Sequence, residues 1–326
     1  MIEINEKNIK LWSLIGQRAT FGTIMLQLAN SNENLMILTS DVSTSAGLDK
    51  FRKNFPLKYI DVGIAEQNLI GIATGIASLN FKVFTTTFSP FQTLRCCEQI
   101  KVNLGYMKHN VVMVGLASGF VLGSLGFTHA SIEDIGVIRS IPNITIISPA
   151  DSLELVKTIE AVMKEDKPFY IRLTSGSNCP KVYSSNYEFI IGKSIELKTG
   201  EDITFFCNGP LVYNCLEVAK ILEKENINAS VVNMHTIKPI DEEKIIEKAK
   251  KNKIILTVEE HNIIGGLGSA VAEVISNQKN ECRLVRLGVS DSYPKGGSQD
   301  YLQDMCGLSI NKIVTTTKNH LSKIKL

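Results

Sequence analysis

Short apolar runs recur along the first half of the chain, at residues 35–39, 59–62, 82–86, 110–116, 145–149 and 169–173, and most end in polar or glycine residues. Runs of this length without polar alternation read as strands covered on both faces of a parallel sheet. The stretches between them carry helical periodicity, notably 9–29 and 151–164, where Pro149-Ala150-Asp151 looks like a helix start. Six strands alternating with helices within about 175 residues predict one doubly wound α/β domain. The polar, turn-rich stretch 175–186 is the candidate boundary. Beyond it a smaller α/β set follows, with strands at 203–207, 229–233, 254–258 and 283–287, helices at 211–224 and 242–250, and a helix opened by the glycines of 265–269 and running to 275. The expected organisation is two doubly wound α/β domains, 1–182 and 183–326.

Composition narrows the classes. The 326 residues are 44% hydrophobic and 21% charged, which is globular, and a formal net charge of +2 gives no nucleic-acid surface. Lys248, Lys250, Lys251 and Lys253 end a predicted helix, where cations complement the dipole, and read as a solvated face. Seven scattered cysteines form no C-x-x-C pair and no Cys/His cluster, so neither a disulfide scaffold nor a zinc site is expected. The N-terminal segment has no basic-then-apolar signal pattern and no apolar run approaches membrane-spanning length, which predicts a cytoplasmic protein. Gly266-x-Gly268 lacks the full dinucleotide spacing and its later acidic residue, so close helix–strand packing is its expected role.

Candidate chemistry gathers at strand tips, the edge where open parallel sheets bind ligands. Three groups lie there: Asp41 to Ser45, Gly63 to Glu66, and Phe88 with Phe91. Glu66 opens a helix inside an uncharged run, where Gly71 and Gly75 would let that helix approach a neighbour closely. A helix dipole explains such a Glu blandly; the functional alternative is a buried carboxylate kept for chemistry. A carboxylate near two phenylalanines on adjacent loops suits a flat heteroaromatic ring that needs protonating. His129, after the glycine-rich loop 118–126, is either a structural histidine or a ligand contact.

Several motifs in order resemble the pyrimidine-binding domain of transketolases: Asp61-Val62-Gly63-Ile64-Ala65-Glu66-Gln67, Thr87-Phe88-Ser89-Pro90-Phe91, Glu98-Gln99-Ile100, Thr128-His129 with Glu133-Asp134, Ile141-Pro142-Asn143 and Pro149-Ala150-Asp151. The related 1-deoxy-D-xylulose-5-phosphate synthases share much of this pattern. Glu259-Glu260-His261 with Gly265-Gly266-Leu267-Gly268-Ser269 resembles the C-terminal domain of the same enzymes. The resemblance implies thiamine diphosphate as cofactor. It assigns Glu66 to a ring nitrogen of the aminopyrimidine, favouring the imino tautomer that deprotonates the thiazolium carbon. Phe88 and Phe91 would hold the ring, Ile64 would brace the bent cofactor, and Asp41 would join the cofactor site. His129 would contact substrate oxygen, and Arg18 and Ser45 the substrate's phosphate.

The Gly-Asp-Gly signature by which these enzymes hold the diphosphate and Mg2+ does not occur. The resemblance therefore implies an N-terminal partner subunit that binds most of the Mg2+, in an α2β2 assembly, with no metal ligands on this chain. The substrate pocket departs from the family at Ala117 for a histidine, Ser175 for an arginine and Leu125 for an aspartate. Serine cannot replace an arginine's bidentate clamp on phosphate, so a non-standard sugar is expected. The expected activity is transfer of a two-carbon ketol unit between a ketose and an aldose. An acyloin-forming synthase or 2-oxoacid dehydrogenase beta-type subunit, releasing carbon dioxide, and a non-catalytic partner are the alternatives. For Glu259, Glu260 and His261 the reading is interface or packing.

Overall fold

The computed structural model describes residues 2–279 and 281–323. Twelve strands run through them: β1 (Leu35–Thr39), β2 (Tyr59–Asp61), β3 (Lys82–Phe88), β4 (Val111–Leu116), β5 (Thr145–Ile147), β6 (Phe169–Arg172), β7 (Ile195–Lys198), β8 (Ile203–Cys207), β9 (Ala229–Asn233), β10 (Thr236–Lys238), β11 (Ile254–Asn262) and β12 (Arg283–Val289). They form a seven-stranded sheet in the order β10-β5-β6-β4-β3-β1-β2 and a five-stranded sheet in the order β12-β11-β8-β9-β7. Pairing is parallel except at one edge of each sheet, where β10 and β7 run antiparallel. The architecture is thus two doubly wound α/β sheets, as the alternation of elements predicts.

The central strands are buried throughout because helices cover both faces of each sheet. On one face of the first sheet, Phe21, Ile24 and Met25 of the Glu6–Ala29 helix pack with Leu155 and Ile159 of the Ser152–Val162 helix. Asp151 caps the latter by accepting from the Glu154 N–H at 2.8 Å. On the other face the Glu66–Ala77 helix buries Leu69, Ile70 and Ala73. Its Gly71 and Gly75 are exposed, and a Cβ at either would meet nothing within 4 Å. Among the described residues no neighbour packs against this glycine face.

Two short strands escape the periodicity. β10 has three residues and pairs not with its own half but with β5, so its partner is invisible to local pattern. β7 has four half-buried residues on an edge. The helices Gln299–Met305 and Ile310–Ser322 also lie beyond the last predicted strand. Lys248 corrects the solvated-face reading: it is 4% exposed, with its Nζ 2.5 Å from Glu196 and 3.0 Å from the Ser230 hydroxyl. Gly266 packs as expected, since a Cβ there would stand 1.9 Å from Glu259 Oε2.

Candidate active site

The tips of β1, β2 and β3 form a shelf at the C-terminal edge of the first sheet. Asp61, ending β2, shapes it. Its carboxylate accepts from the backbone N–H of Asp41 at 3.0 Å and of Gly63 at 2.9 Å, and from the hydroxyls of Thr39 at 3.0 Å and Tyr59 at 3.2 Å. Burial raises its pKa, but these hydrogen bonds outweigh burial and hold it below the usual carboxylate range. They also fix the turn that delivers Glu66. Asp41 itself is exposed, in a left-handed conformation with φ 55, and Ile64 projects from the turn at 76% exposure.

Glu66 is 4% exposed and not unpaired: its Oε2 accepts from Arg95 Nη1 at 2.7 Å, and its Oε1 accepts no hydrogen bond among the described residues. Arg95 comes from the segment after β3, and its guanidinium carbon lies 4.0 Å from the centre of the Phe91 ring. Phe91 stands edge-on to Phe88 with centroids 6.4 Å apart. The His129 ring meets both edge-on, at 5.4 Å from Phe91 and 6.5 Å from Phe88, with Nδ1 3.0 Å from the Thr128 hydroxyl. One shelf therefore joins an acid, two half-buried aromatic rings and a histidine.

Beneath it lies a buried polar network. The Ser89 hydroxyl, between the two phenylalanines, is 2.7 Å from the Tyr170 hydroxyl and 3.2 Å from that of Ser131. Tyr170 and Arg172 both donate to Asp134 Oδ2 at 2.7 Å. Burial raises the Asp134 pKa, but the Arg172 guanidinium outweighs it and the carboxyl titrates below its ordinary value. Arg172 also donates to the Glu260 carbonyl at 2.8 Å, so the network reaches the second half of the chain. There Glu260 accepts from the Phe120 N–H at 2.7 Å and from the Gln303 amide at 2.6 Å.

A cleft of about 200 Å³ opens beside the shelf, lined by Arg18, Ser45, Gly47 and Gly176 among others. The helix carrying Arg18 breaks at Gly16, whose φ is 76, and Gly22 of the same helix touches the backbone of Gly47. That approach brings Ser45 to Arg18. Burial lowers the Arg18 pKa, and among the described residues no carboxylate is paired with it. Ser175 is buried and its Oγ accepts from the Gln17 N–H at 3.3 Å; Ala117 is buried with φ 53; Leu125 is exposed. A larger cleft of about 720 Å³, lined by Asn34, Phe81, Lys82 and Asp166, lies away from the shelf at the opposite strand ends. Among the described residues no three His, Cys, Asp or Glu side chains group as a metal site. Among the described residues, no helix is long and apolar enough to cross a membrane.

The structure brings together Glu66, Phe88, Phe91 and His129 on the shelf, and Arg18 with Ser45 in the adjoining cleft. Asp41 and Ile64 sit on the rim. Reading the sequence missed Arg95 and the Asp134–Arg172 pair. An arginine seven residues after Phe88 is an ordinary surface residue until its partners are seen.

Comparison with known proteins agrees with this architecture. Residues 15–180 match the transketolase pyrimidine binding domain and residues 192–313 the transketolase C-terminal domain. The 6-deoxy-6-sulfo-D-fructose transketolase subunit of Clostridium sp. (strain MSTE9) is 36% identical over 91% of this chain and 92% of its own length. An apulose-4-phosphate transketolase subunit of Phocaeicola vulgatus is 33% identical over 95% of this chain and 99% of its own. A solved split gene transketolase, described as an inactive beta4 tetramer, superposes with a TM-score of 0.84 at 34% identity, covering 94% of this chain and 98% of that one. The Campylobacter jejuni transketolase matches in fold alone, at 21% identity and TM-score 0.78, and this chain spans half of it. With the two family domains in order over residues 15–180 and 192–313, and relatives above 30% identity matched over nearly their whole length, this chain belongs to the transketolase family.

Proposed function

We propose that this subunit supplies the pyrimidine and sugar sites of a two-chain, thiamine diphosphate-dependent transketolase that moves a two-carbon ketol unit from a non-standard ketose to an aldose. One observation carries the reading: a buried carboxylate with one unbonded oxygen stands on the same shelf as two half-buried phenylalanines and a histidine. That donor set suits a flat ring that must be gripped by its faces and protonated at its edge. Bound thiamine diphosphate would supply a carbon nucleophile for the ketose carbonyl. Glu66 Oε1 would hold a proton against the ring nitrogen, and Phe88 and Phe91 would grip the ring. Offset aromatic contact contributes about 0.5–1.5 kcal/mol beyond burial. His129 would hydrogen-bond the substrate oxygen. Ile64 and Asp41, on the rim, would brace the cofactor's middle.

Arg18 and Ser45 would hold an anionic end of the sugar, since a half-buried guanidinium without a carboxylate partner among the described residues is suited to an anion. By the family resemblance, Ala117 and Ser175 replace a histidine and an arginine that complete the anion site, and Leu125 an aspartate that reads an acceptor hydroxyl, which disfavours common pentose phosphates. The relatives named for 6-deoxy-6-sulfo-D-fructose and apulose-4-phosphate support an unusual anionic sugar. The diphosphate and Mg2+ would belong mainly to an N-terminal partner subunit in an α2β2 cytoplasmic assembly. The exposed Gly71–Gly75 face is open to another chain.

The test is co-purification with the product of the adjoining reading frame, followed by calorimetric titration of thiamine diphosphate with Mg2+. Tight binding is expected only for the pair, and Glu66→Ala should abolish turnover by the pair. Full activity of that variant would overturn the catalytic assignment. A chain that stays stable and cofactor-free with every co-expressed candidate would instead favour the non-catalytic reading.

A further inference from the structure

Arg95 falls between the motifs that carry the family resemblance, yet it is the side chain that joins the acid to the aromatic platform. Its Nη1 donates to Glu66 Oε2 at 2.7 Å while its guanidinium covers the Phe91 ring at 4.0 Å. Its carbonyl accepts from the Gln67 amide at 3.1 Å, which ties its backbone to the start of the Glu66 helix. The next residue is tethered too: the Cys96 thiol donates to the Phe91 carbonyl at 3.1 Å.

A half-exposed ion pair contributes little to stability by itself, and Arg95 is 42% exposed. Geometry is where this one differs from a surface pair. A guanidinium can direct a planar donor at a carboxylate and lie flat on an aromatic face at once, which an ammonium cannot do. With Oε2 engaged, the Glu66 carboxylate is held in one orientation and Oε1 is the oxygen left for a ligand. Catalytic groups must hold their geometry to within about 0.5 Å, so a tether of this kind has consequences for rate.

We infer that Arg95 is a positioning residue, locking the Glu66 carboxylate to the Phe91 ring so that acid and ring platform meet the cofactor's pyrimidine as one rigid unit. This rests on the function proposed above. It places Arg95 behind the reacting atoms and gives it no contact with the sugar. Losing it should therefore impair cofactor binding and turnover and leave sugar affinity alone.

The experiment compares Arg95→Met and Arg95→Lys with the wild type in the assembled two-chain enzyme. It measures the thiamine diphosphate Kd by calorimetry, kcat and sugar KM by steady-state kinetics, and the thermal midpoint. For Arg95→Met the Kd should rise and kcat fall by at least about tenfold each, at unchanged sugar KM and melting. Arg95→Lys, which keeps the charge without the flat stack, should fall between. Wild-type Kd and kcat in Arg95→Met would overturn the inference. So would tighter cofactor binding, which would make Arg95 a plug in the seat. Failure of both variants to assemble would also overturn it, by assigning Arg95 to folding. A wild-type pair that binds no cofactor would count against the proposed function itself, a result distinct from all of these.

Discussion

Glu259 has no exposed surface, accepts from the backbone N–H of Leu267 at 2.6 Å and of Gly268 at 2.8 Å, and among the described residues has no lysine or arginine at ion-pair distance. Burial pushes its pKa from 4.5 up to about 7, against those two hydrogen bonds. The folded chain thus keeps this proton where the unfolded chain has released it. Stability from the group is full below pH 4.5 and is lost as pH rises through about 7. A shift of that size corresponds to roughly 3 kcal/mol. His261 beside it has the opposite slope: burial lowers its pKa to about 4, so its neutral form loses stability as pH falls from 6.5 toward 4. Glu259→Gln should remove the first slope alone. The thermal midpoint of the variant should gain on the wild type as pH rises from about 5 to 7. A difference independent of pH would refute the assignment. Glu66, the residue legible from its motif, gives a contrasting lesson: its position at a helix start was visible, but its partner Arg95 was not.

At the scale of elements, the Glu6–Ala29 helix was legible from its period, whereas its job was not. Gly22 sits where a Cβ would fall 2.0 Å from the Gly47 carbonyl oxygen, so only glycine lets the loop after β1 close on the helix. Gly22→Ala should therefore part Ser45 from Arg18. Overpacking of this kind costs about 1–3 kcal/mol. In the assembled enzyme, sugar KM should rise several-fold while kcat at saturating sugar changes little. A variant with the stability loss and an unchanged KM would remove Arg18 and Ser45 from the substrate site. The same loop holds Asp41, whose backbone is pinned by Asp61. A period of polar and apolar residues carries no trace of such side-chain-to-backbone ties.

Across the whole molecule, the two halves are stitched by buried polar groups and by β10. Glu154 illustrates this: it receives the Asn233 amide of the second sheet at 2.9 Å and the hydroxyls of Tyr183 and Tyr187 at 3.1 Å. Lys238 Nζ, from β10, donates to the carbonyls of Arg139 at 2.9 Å and Ile141 at 2.5 Å. Arg172 makes a third link through its bond to the Glu260 carbonyl at 2.8 Å, and Asp134, which neutralises it within the first half, is as buried as it is, at 0% and 1% exposure. Asp134→Asn would leave the Arg172 charge uncompensated, at a cost of about 3–5 kcal/mol. The measurement is denaturant unfolding, with a midpoint well below that of the wild type expected. An unfolding free energy within about 1 kcal/mol of the wild type would mean that Asp134 is not what holds the Arg172 link in place.

What the sequence determined by itself was whatever is local or repeated: the alternation of buried strands and helices, the strand-tip placement of Glu66, Phe88, Phe91 and His129, and the ordered motifs that mark the family. Each depends on neighbours within one element or on a run of residue types, which a linear reading preserves. The tertiary structure alone decided the partnerships: Arg95 on Glu66 and Phe91, Arg18 with Ser45, β10 on β5, Lys248 on Glu196, and Asp134 with Arg172. Those are contacts between segments far apart in the chain, set by how the sheets pack, and no local pattern encodes which distant side chain will arrive.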